Sequence, residues 1–233
     1  MIRFHPSAQQ LSQFAEGNMS PALSLMIASH MDMCKKCMES FDLLQERAVN
    51  SFESSHNSFA DNVDFSQMFK DITEDKPFCD GYYCPVPQSV VTTTLQLEGK
   101  VFNIPQPLQR FAEKARNQGW SKHLGKIWQA GVTIGGKNLA QFIYMEQGCV
   151  VPEHSHTGNE ITLVIDGQFS DGMSSYDSGD LIFLNDSHTH SPYTANHNGC
   201  LVFSIVDSPL HFTDGWAKLI NPLSNLYFKA NTD

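Results

Sequence analysis

Apolar residues in the first fifty positions recur at helical spacing. Leu11, Phe14 and Ala15, then Leu23, Met26 and Ile27, fall three and four apart, and Ser20-Pro21 supplies a cap followed by a first-turn proline. The pattern predicts helices from Ser7 to about Glu53. Within the mixed stretch 54–75, Val63, Phe65, Met68, Phe69 and Ile72 predict a further amphipathic helix. Pro77, Pro85 and Pro87, with Gly81 among them, break any period across 76–88. After a short helical run at 107–118 (Leu108, Phe111, Ala112, Ala115), the chain turns to β-rich segments punctuated by Gly, Asn and Asp. They lie at 126–134, 139–146, 160–166, 181–184 and 200–206. Strands spaced in this way suggest a sandwich or barrel. The expected fold is α + β in two domains: a small helical domain over 1–80, a linker at 81–94 and an all-β barrel over 95–233.

Bulk properties narrow the function classes. A chain of 233 residues can bury two modest cores, and 41% hydrophobic with 17% charged residues is the composition of a folded protein. Lys and Arg number 15 against 25 acids, so there is no basic footprint and direct nucleic-acid binding is disfavoured. Residues 1–90 carry 6 basic and 12 acidic side chains, which suits a basic protein partner for the helical part. The start, Met1-Ile2-Arg3-Phe4-His5-Pro6, lacks the apolar core of a signal peptide, and no run of about 18 apolar residues occurs. The expected location is the cytoplasm, without membrane contact. Thiols stay reduced there, so the six cysteines read as ligands, reactive groups or core residues and not as a disulfide framework.

Two clusters carry candidate chemistry. His30, Cys34 and Cys37 form H-x3-C-x2-C, and on a continuous helix these offsets share one face. Thiolate and imidazole are donors that Zn²⁺ prefers, and a closed structural site wants four. His5, just before the first helix, is the best fourth donor, because it would clip that helix to the next. Lys35 and Lys36 are placed to lower the thiol pKa values. A redox dithiol is the sharper rival, but this C-x-x-C does not follow a strand in a βαβ pattern.

The second cluster is Gly148-x5-His154-x-His156-x3-Glu160-x6-Gly167. Alternate residues on a strand face one side, so His154 and His156 should both point into a barrel, with Glu160 returning to the same pocket after a turn. A fourth donor is expected from Gly179-Asp180-Leu181-Ile182-Phe183-Leu184-Asn185-Asp186-Ser187-His188-Thr189-His190, with His190 preferred to His188. Zn²⁺, Fe²⁺, Mn²⁺, Ni²⁺ or Cu²⁺ would accept such donors, with zinc the first choice. His56, His123, His197 and His211 lack such company.

These two segments resemble the paired motifs of the cupin superfamily, which implies a double-stranded β-helix, or jelly-roll, barrel with a three-His, one-Glu metal centre. The first motif matches throughout. The second departs from it at Asn185 (usually Pro), Ser187 (usually Gly) and Thr194 (usually Asn). An H-x3-C-x2-C helical module with an upstream His, a Pro-containing linker and then a cupin resembles the ChrR family of zinc-binding anti-sigma factors. The resemblance implies that His5, His30, Cys34 and Cys37 hold zinc in a domain that binds and inhibits an extracytoplasmic-function sigma factor. It implies that His154, His156, Glu160 and His190 hold the cupin metal, in a domain tied to oxidative, singlet-oxygen-type stress and to transcription regulation. Homodimer formation stays open, as do the roles of Cys79, Cys84, Cys149 and Cys200. The rival reading is an enzyme, a metal-dependent cupin dioxygenase or isomerase with an accessory helical domain. Tyr144, Glu146 and Asp166 would be its acid–base candidates by proximity in sequence. A third reading is a small-molecule-binding cupin that regulates through ligand occupancy. The N-terminal motif favours the non-enzymatic regulator.

Overall fold

The computed structural model describes residues 1–55, 64–74, 94–195, 199–213 and 215–232. Ser7 opens α1 (Ala8–Ala15) with a capping box: its hydroxyl accepts from Gln10 N–H while the Gln10 side chain accepts from Ser7 N–H. Ser20 caps α2 (Pro21–Met33), whose first residue is the proline that needs no amide partner there. Helix α2 buries Met26, Ile27, Ser29, His30 and Met31, because it lies between the other helices and the β domain. Then come α3 (Lys35–Ser55) and α4 (Ser66–Glu74).

The expected continuous helix through His30, Cys34 and Cys37 does not form. Cys34 adopts extended backbone (φ −120°, ψ 95°), ending α2, and its carbonyl accepts from the Cys37 and Met38 amides to start α3. The three residues therefore converge across a helix–helix corner and not along one helical face.

The β domain opens with the hairpin β1 (Thr94–Leu97) and β2 (Lys100–Asn103), a 3-10 turn at Gln106–Leu108 and α5 (Gln109–Gln118). The barrel strands are β3 (Ser121–His123), β4 (Ile127–Val132), β5 (Leu139–Met145), β6 (His154–His156), β7 (Glu160–Ser170), β8 (Ser175–Asp177), β9 (Leu181–Leu184), β10 (Thr189–His190), β11 (Cys200–Val206) and β12 (Leu210–Phe212). A 3-10 segment at Gly215–Ile220 and α6 (Asn221–Thr232) follow. The larger sheet runs β3-β4-β5-β11-β7-β8 with β9 also on β7, and the smaller runs β10-β6-β12. Every named pairing is antiparallel. The five strands expected from the sequence correspond to β4, β5, β7, β9 and β11; the others are two to four residues long and, unlike β9, lack an unbroken apolar run. Most of the expected linker, with Cys79, Cys84 and the three prolines, lies outside the described residues, as do His56 and His197.

Helical and β regions are packed on each other. Helix α2 lies on β7, β9 and the 3-10 turn at 106–108, where the Asp32 carboxylate accepts from Gln106 N–H at 2.9 Å. The main core runs through both, joining Met26 and Ile27 to Leu108, Phe142, Leu163 and Phe203. Gly179, at φ +92°, lies where the N-terminal segment comes against the β domain: a Cβ there would collide with the Ile2 side chain. Gly179→Ala is expected to lower stability by about 2 kcal/mol. At roughly 2–4 °C per kcal/mol for a chain of this size, a thermal melt should show Tm falling by about 4–8 °C. An unchanged Tm would mean that Ile2 yields freely.

Candidate metal centres

His5, His30, Cys34 and Cys37 come together at the corner between α2 and α3, with one donor atom of each within 4.8 Å of the others. His5 Nδ1 lies 3.5 Å from Cys34 Sγ and 3.4 Å from Cys37 Sγ, and His30 Nε2 lies 3.3 Å from Cys37 Sγ. A tetrahedral ion with bonds of about 2.3 Å to sulfur and 2.05 Å to nitrogen has S···N edges of roughly 3.5 Å. The separations fit. His30 is fully buried, and its Nδ1–H donates to Gly179 O at 2.7 Å, which leaves the Nε2 lone pair facing the thiols. Burial, helped by nearby His5, pushes the His30 pKa down to about 4 against the pull of the Gly179 carbonyl and Asp180, so the ring is neutral at pH 7. Burial and adjacent Cys34 push the Cys37 thiol up to about 12. The expected lowering by Lys36 is present but outweighed, because the thiol is buried whereas Lys36 is exposed.

The second cluster lies in the barrel. His154 and His156, two apart on β6, both face inward and are buried; Glu160 opens β7, and β10 brings His190 alongside His154. The Nε2 atoms of His190 and His154 are 3.0 Å apart, those of His156 and His190 3.1 Å, and His156 Nε2 lies 3.1 Å from Glu160 Oε2. Bonds of about 2.1 Å give donor edges of roughly 3.0 Å at right angles and 3.4 Å at tetrahedral angles. The cluster sits at the right-angle end, which leaves room for further donors. His154 Nδ1–H donates to Pro152 O at 2.9 Å, fixing Nε2 as the free donor. The Nδ1 atoms of His156 and His190 are buried without a protein partner, so of the three only His154 has its ring orientation fixed by a hydrogen bond behind it.

Electrostatics agree with a cation site. Burial lowers the His154 and His190 pKa values, the latter to about 4, so both rings keep their lone pairs. Burial also works to raise the Glu160 pKa, but His156, the Thr162 hydroxyl, His154 and His190 together hold it below its ordinary value. Glu160 Oε1 accepts from Thr162 at 2.6 Å and Ser204 at 3.2 Å, so Oε2 alone faces the histidines. Thr162 was not singled out from the sequence, although it is Glu160's same-face neighbour two residues along β7; Ser204 reaches Glu160 through the β11–β7 register.

Other sequence expectations sort by position. His188 is half-buried and bonded to Asn185, whereas His190 is buried at the cluster. Asn185 serves where Pro is usual because its side-chain oxygen accepts from Ser187 N–H, closing the turn locally. Thr194 accepts from Cys149 N–H and donates to Glu146 O, tying that loop down. Cys149 and Cys200 are buried, with thiols pushed up by burial, Cys149 to about 11. Tyr144, Glu146 and Asp166 do not line the cavity at the barrel cluster: Tyr144 packs on Phe102, Glu146 binds Lys122 and Trp128, and Asp166 is exposed. His123 and His211 are exposed. The cavity measures about 90 Å³, and beside the cluster its lining includes Gln141, Phe169, Asp171 and Tyr176, which the sequence did not single out.

Comparison with known proteins joins the two clusters. Residues 133–207 match the ChrR cupin-like domain family. Over 228 residues the chain is 26% identical to the anti-sigma-E factor ChrR of Cereibacter sphaeroides, covering 95% of this chain and 97% of that one. Similarity to that ChrR extends over nearly the whole chain. Among solved structures, Rhodobacter sphaeroides SigE in complex with the anti-sigma ChrR matches with a TM-score of 0.64 and 23% identity, covering 89% of this chain and 100% of that one. The architecture, helices followed by a cupin-like barrel, is thus the one expected from the sequence. No described helix is long and apolar enough to cross a membrane.

Two measurements check the clusters. Thr162→Val is expected to weaken metal binding in the barrel about tenfold or more, read by competition with a chelator, while the cysteine cluster holds its ion unchanged. Burial holds the Cys37 proton on at neutral pH, so metal uptake by its cluster should release at least one proton and weaken at least about tenfold for each unit the pH falls. Calorimetry in two buffers of unlike ionisation enthalpy measures that proton.

Proposed function

We propose that the chain is a zinc-dependent anti-sigma factor, which binds an extracytoplasmic-function sigma factor in the cytoplasm and keeps it from transcription. The observation that carries this reading is the likeness to anti-sigma-E factor ChrR over 95% of the chain, a span that takes in both modules. In this reading residues 1–80 are the partner-binding domain, 81–94 the linker and 95–233 the cupin-like domain. His5, His30, Cys34 and Cys37 hold zinc, which supplies a rigid cross-link where a small helical core is thin. His154, His156, Glu160 and His190 hold a second divalent ion, zinc first among the candidates.

The surface of the helical module supports a protein partner. Leu43 and Val49 on α3, with Phe65, Met68 and Phe69 at α4, are large apolar side chains left substantially exposed. They stand among the acids of the first ninety residues, so apolar anchors lie within a field that attracts a basic surface. Inhibition works by covering the sigma factor and needs no DNA contact. The barrel receives an oxidative-stress signal that ends inhibition. Turnover has no part in this reading, and Tyr144, Glu146 and Asp166 stand away from the barrel cavity.

Pull-down of the sigma factor encoded beside this gene tests the reading. Wild type should retain it, and the Cys34→Ala/Cys37→Ala double variant should lose binding by about 100-fold, the scale expected when a hot-spot surface loses its support. Equal capture by the double variant would overturn the zinc requirement. No capture by metal-loaded wild type would overturn the partner class, and steady multiple turnover by the purified chain would favour the enzyme instead.

A further inference from the structure

The cysteine-containing cluster is held partly from outside the helical module. One turn of the barrel, Asp177–Leu181, holds one of its four donors, His30, and the segment that leads into another, His5. His30 Nδ1–H donates to Gly179 O at 2.7 Å. His5 ends the segment Ile2–His5, which lies along the same turn: Asp180 Oδ1 accepts from Arg3 N–H at 2.6 Å and Phe4 N–H at 3.0 Å, and Leu181 N–H donates to Phe4 O at 3.0 Å. The Arg3 guanidinium reaches Ser175 O.

Phe4 continues this grip into the barrel. Its ring packs against Tyr176, 4.8 Å between centroids, and Tyr176 packs against Phe169 at 5.0 Å. Tyr176 and Phe169 line the cavity that holds the second cluster, and Tyr176 OH donates at 2.8 Å to Asp171, another lining residue. One packed path therefore leads from the cavity wall through Tyr176 and Phe4 to His5, one peptide bond further on. Interiors packed this closely transmit a displacement and do not absorb it.

We propose that Phe4 is a positioning residue for the zinc ligand His5, and that the barrel cavity acts on the zinc cluster through Tyr176 and Phe4. The inference rests on reading His5, His30, Cys34 and Cys37 as a metal site, and it deepens the proposed function by giving the barrel a route to the module that holds the partner. Movement of the Tyr176 ring, by an occupant of the cavity or a change at the barrel cluster, shifts Phe4 and loosens the hold of His5.

Cobalt-loaded full-length chain tests this without any sigma factor. Thiolate-to-cobalt charge transfer reports the cysteine cluster alone, because the barrel donors are nitrogen and oxygen. Decay of that band in excess EDTA is followed for wild type, Phe4→Ala, Phe4→Leu, Tyr176→Ala and the Phe4→Ala/Tyr176→Ala double variant, with circular dichroism to establish that each is folded. Loss of support around a metal ligand weakens a site about 10- to 100-fold, so Phe4→Ala should speed decay by about tenfold or more. Phe4→Leu, which keeps apolar contact, should recover most of the difference. Tyr176→Ala should also speed decay, and the double variant should be no faster than the faster single variant. Decay in folded Phe4→Ala within about twofold of wild type, well below the range for a lost supporting contact, would overturn the inference. Independent, multiplying effects would overturn the route through Tyr176. A wild-type chain without the band would overturn the metal reading itself, and this inference with it.

Discussion

Lone pairs repel, and four electron-rich side chains converging in a dry interior need a positive charge between them. Both clusters meet that constraint in the same way. Burial keeps the His30 and His190 imidazoles neutral, so they present lone pairs instead of protons, and a carbonyl oxygen behind His30 and another behind His154 fixes which nitrogen faces the centre. A shared cation would resolve the repulsion and tie together segments far apart in the chain. In the first cluster it would join the N-terminal segment to the corner between two helices. In the second it would join β6, β7 and β10.

The two centres differ in what surrounds them. The cysteine cluster has soft donors at near-tetrahedral separations and lies where three chain segments meet, the arrangement of a cross-link. The barrel cluster has nitrogen and oxygen donors at closer, right-angle separations and opens on a cavity. One carboxylate oxygen is retained by two hydroxyls while the other faces the histidines, so Glu160 is held in a single orientation.

The sequence was most legible where a period or a ligand spacing ran long enough to be distinctive. Strands β5, β7, β9 and β11 stood out because each is a nearly continuous apolar run, and the H-x-H-x3-E spacing implied its own inward face. The break at Cys34 was not legible, since nothing in Met-Cys-Lys-Lys signals a change of backbone; the tertiary demand of the cluster overrides local helical preference there. Ser204, Asp171 and Tyr176 were equally hidden, because each reaches its site through pairings across the barrel. The hold of the Asp177–Leu181 turn on Phe4 and His30 is likewise a product of packing between regions more than a hundred residues apart.

The extended residue at Cys34 has a mechanical consequence. Helix α3 has 21 residues, which at 1.5 Å per residue makes a rod about 30 Å long. It leaves the cluster at one non-helical residue that is itself among the candidate donors. A tilt of such a rod by roughly 10° about that residue would carry its far end about 5 Å, Val49 about 4 Å and Leu43 about 2 Å. A small adjustment around Cys34 would thus reach the exposed apolar residues enlarged by the length of the helix.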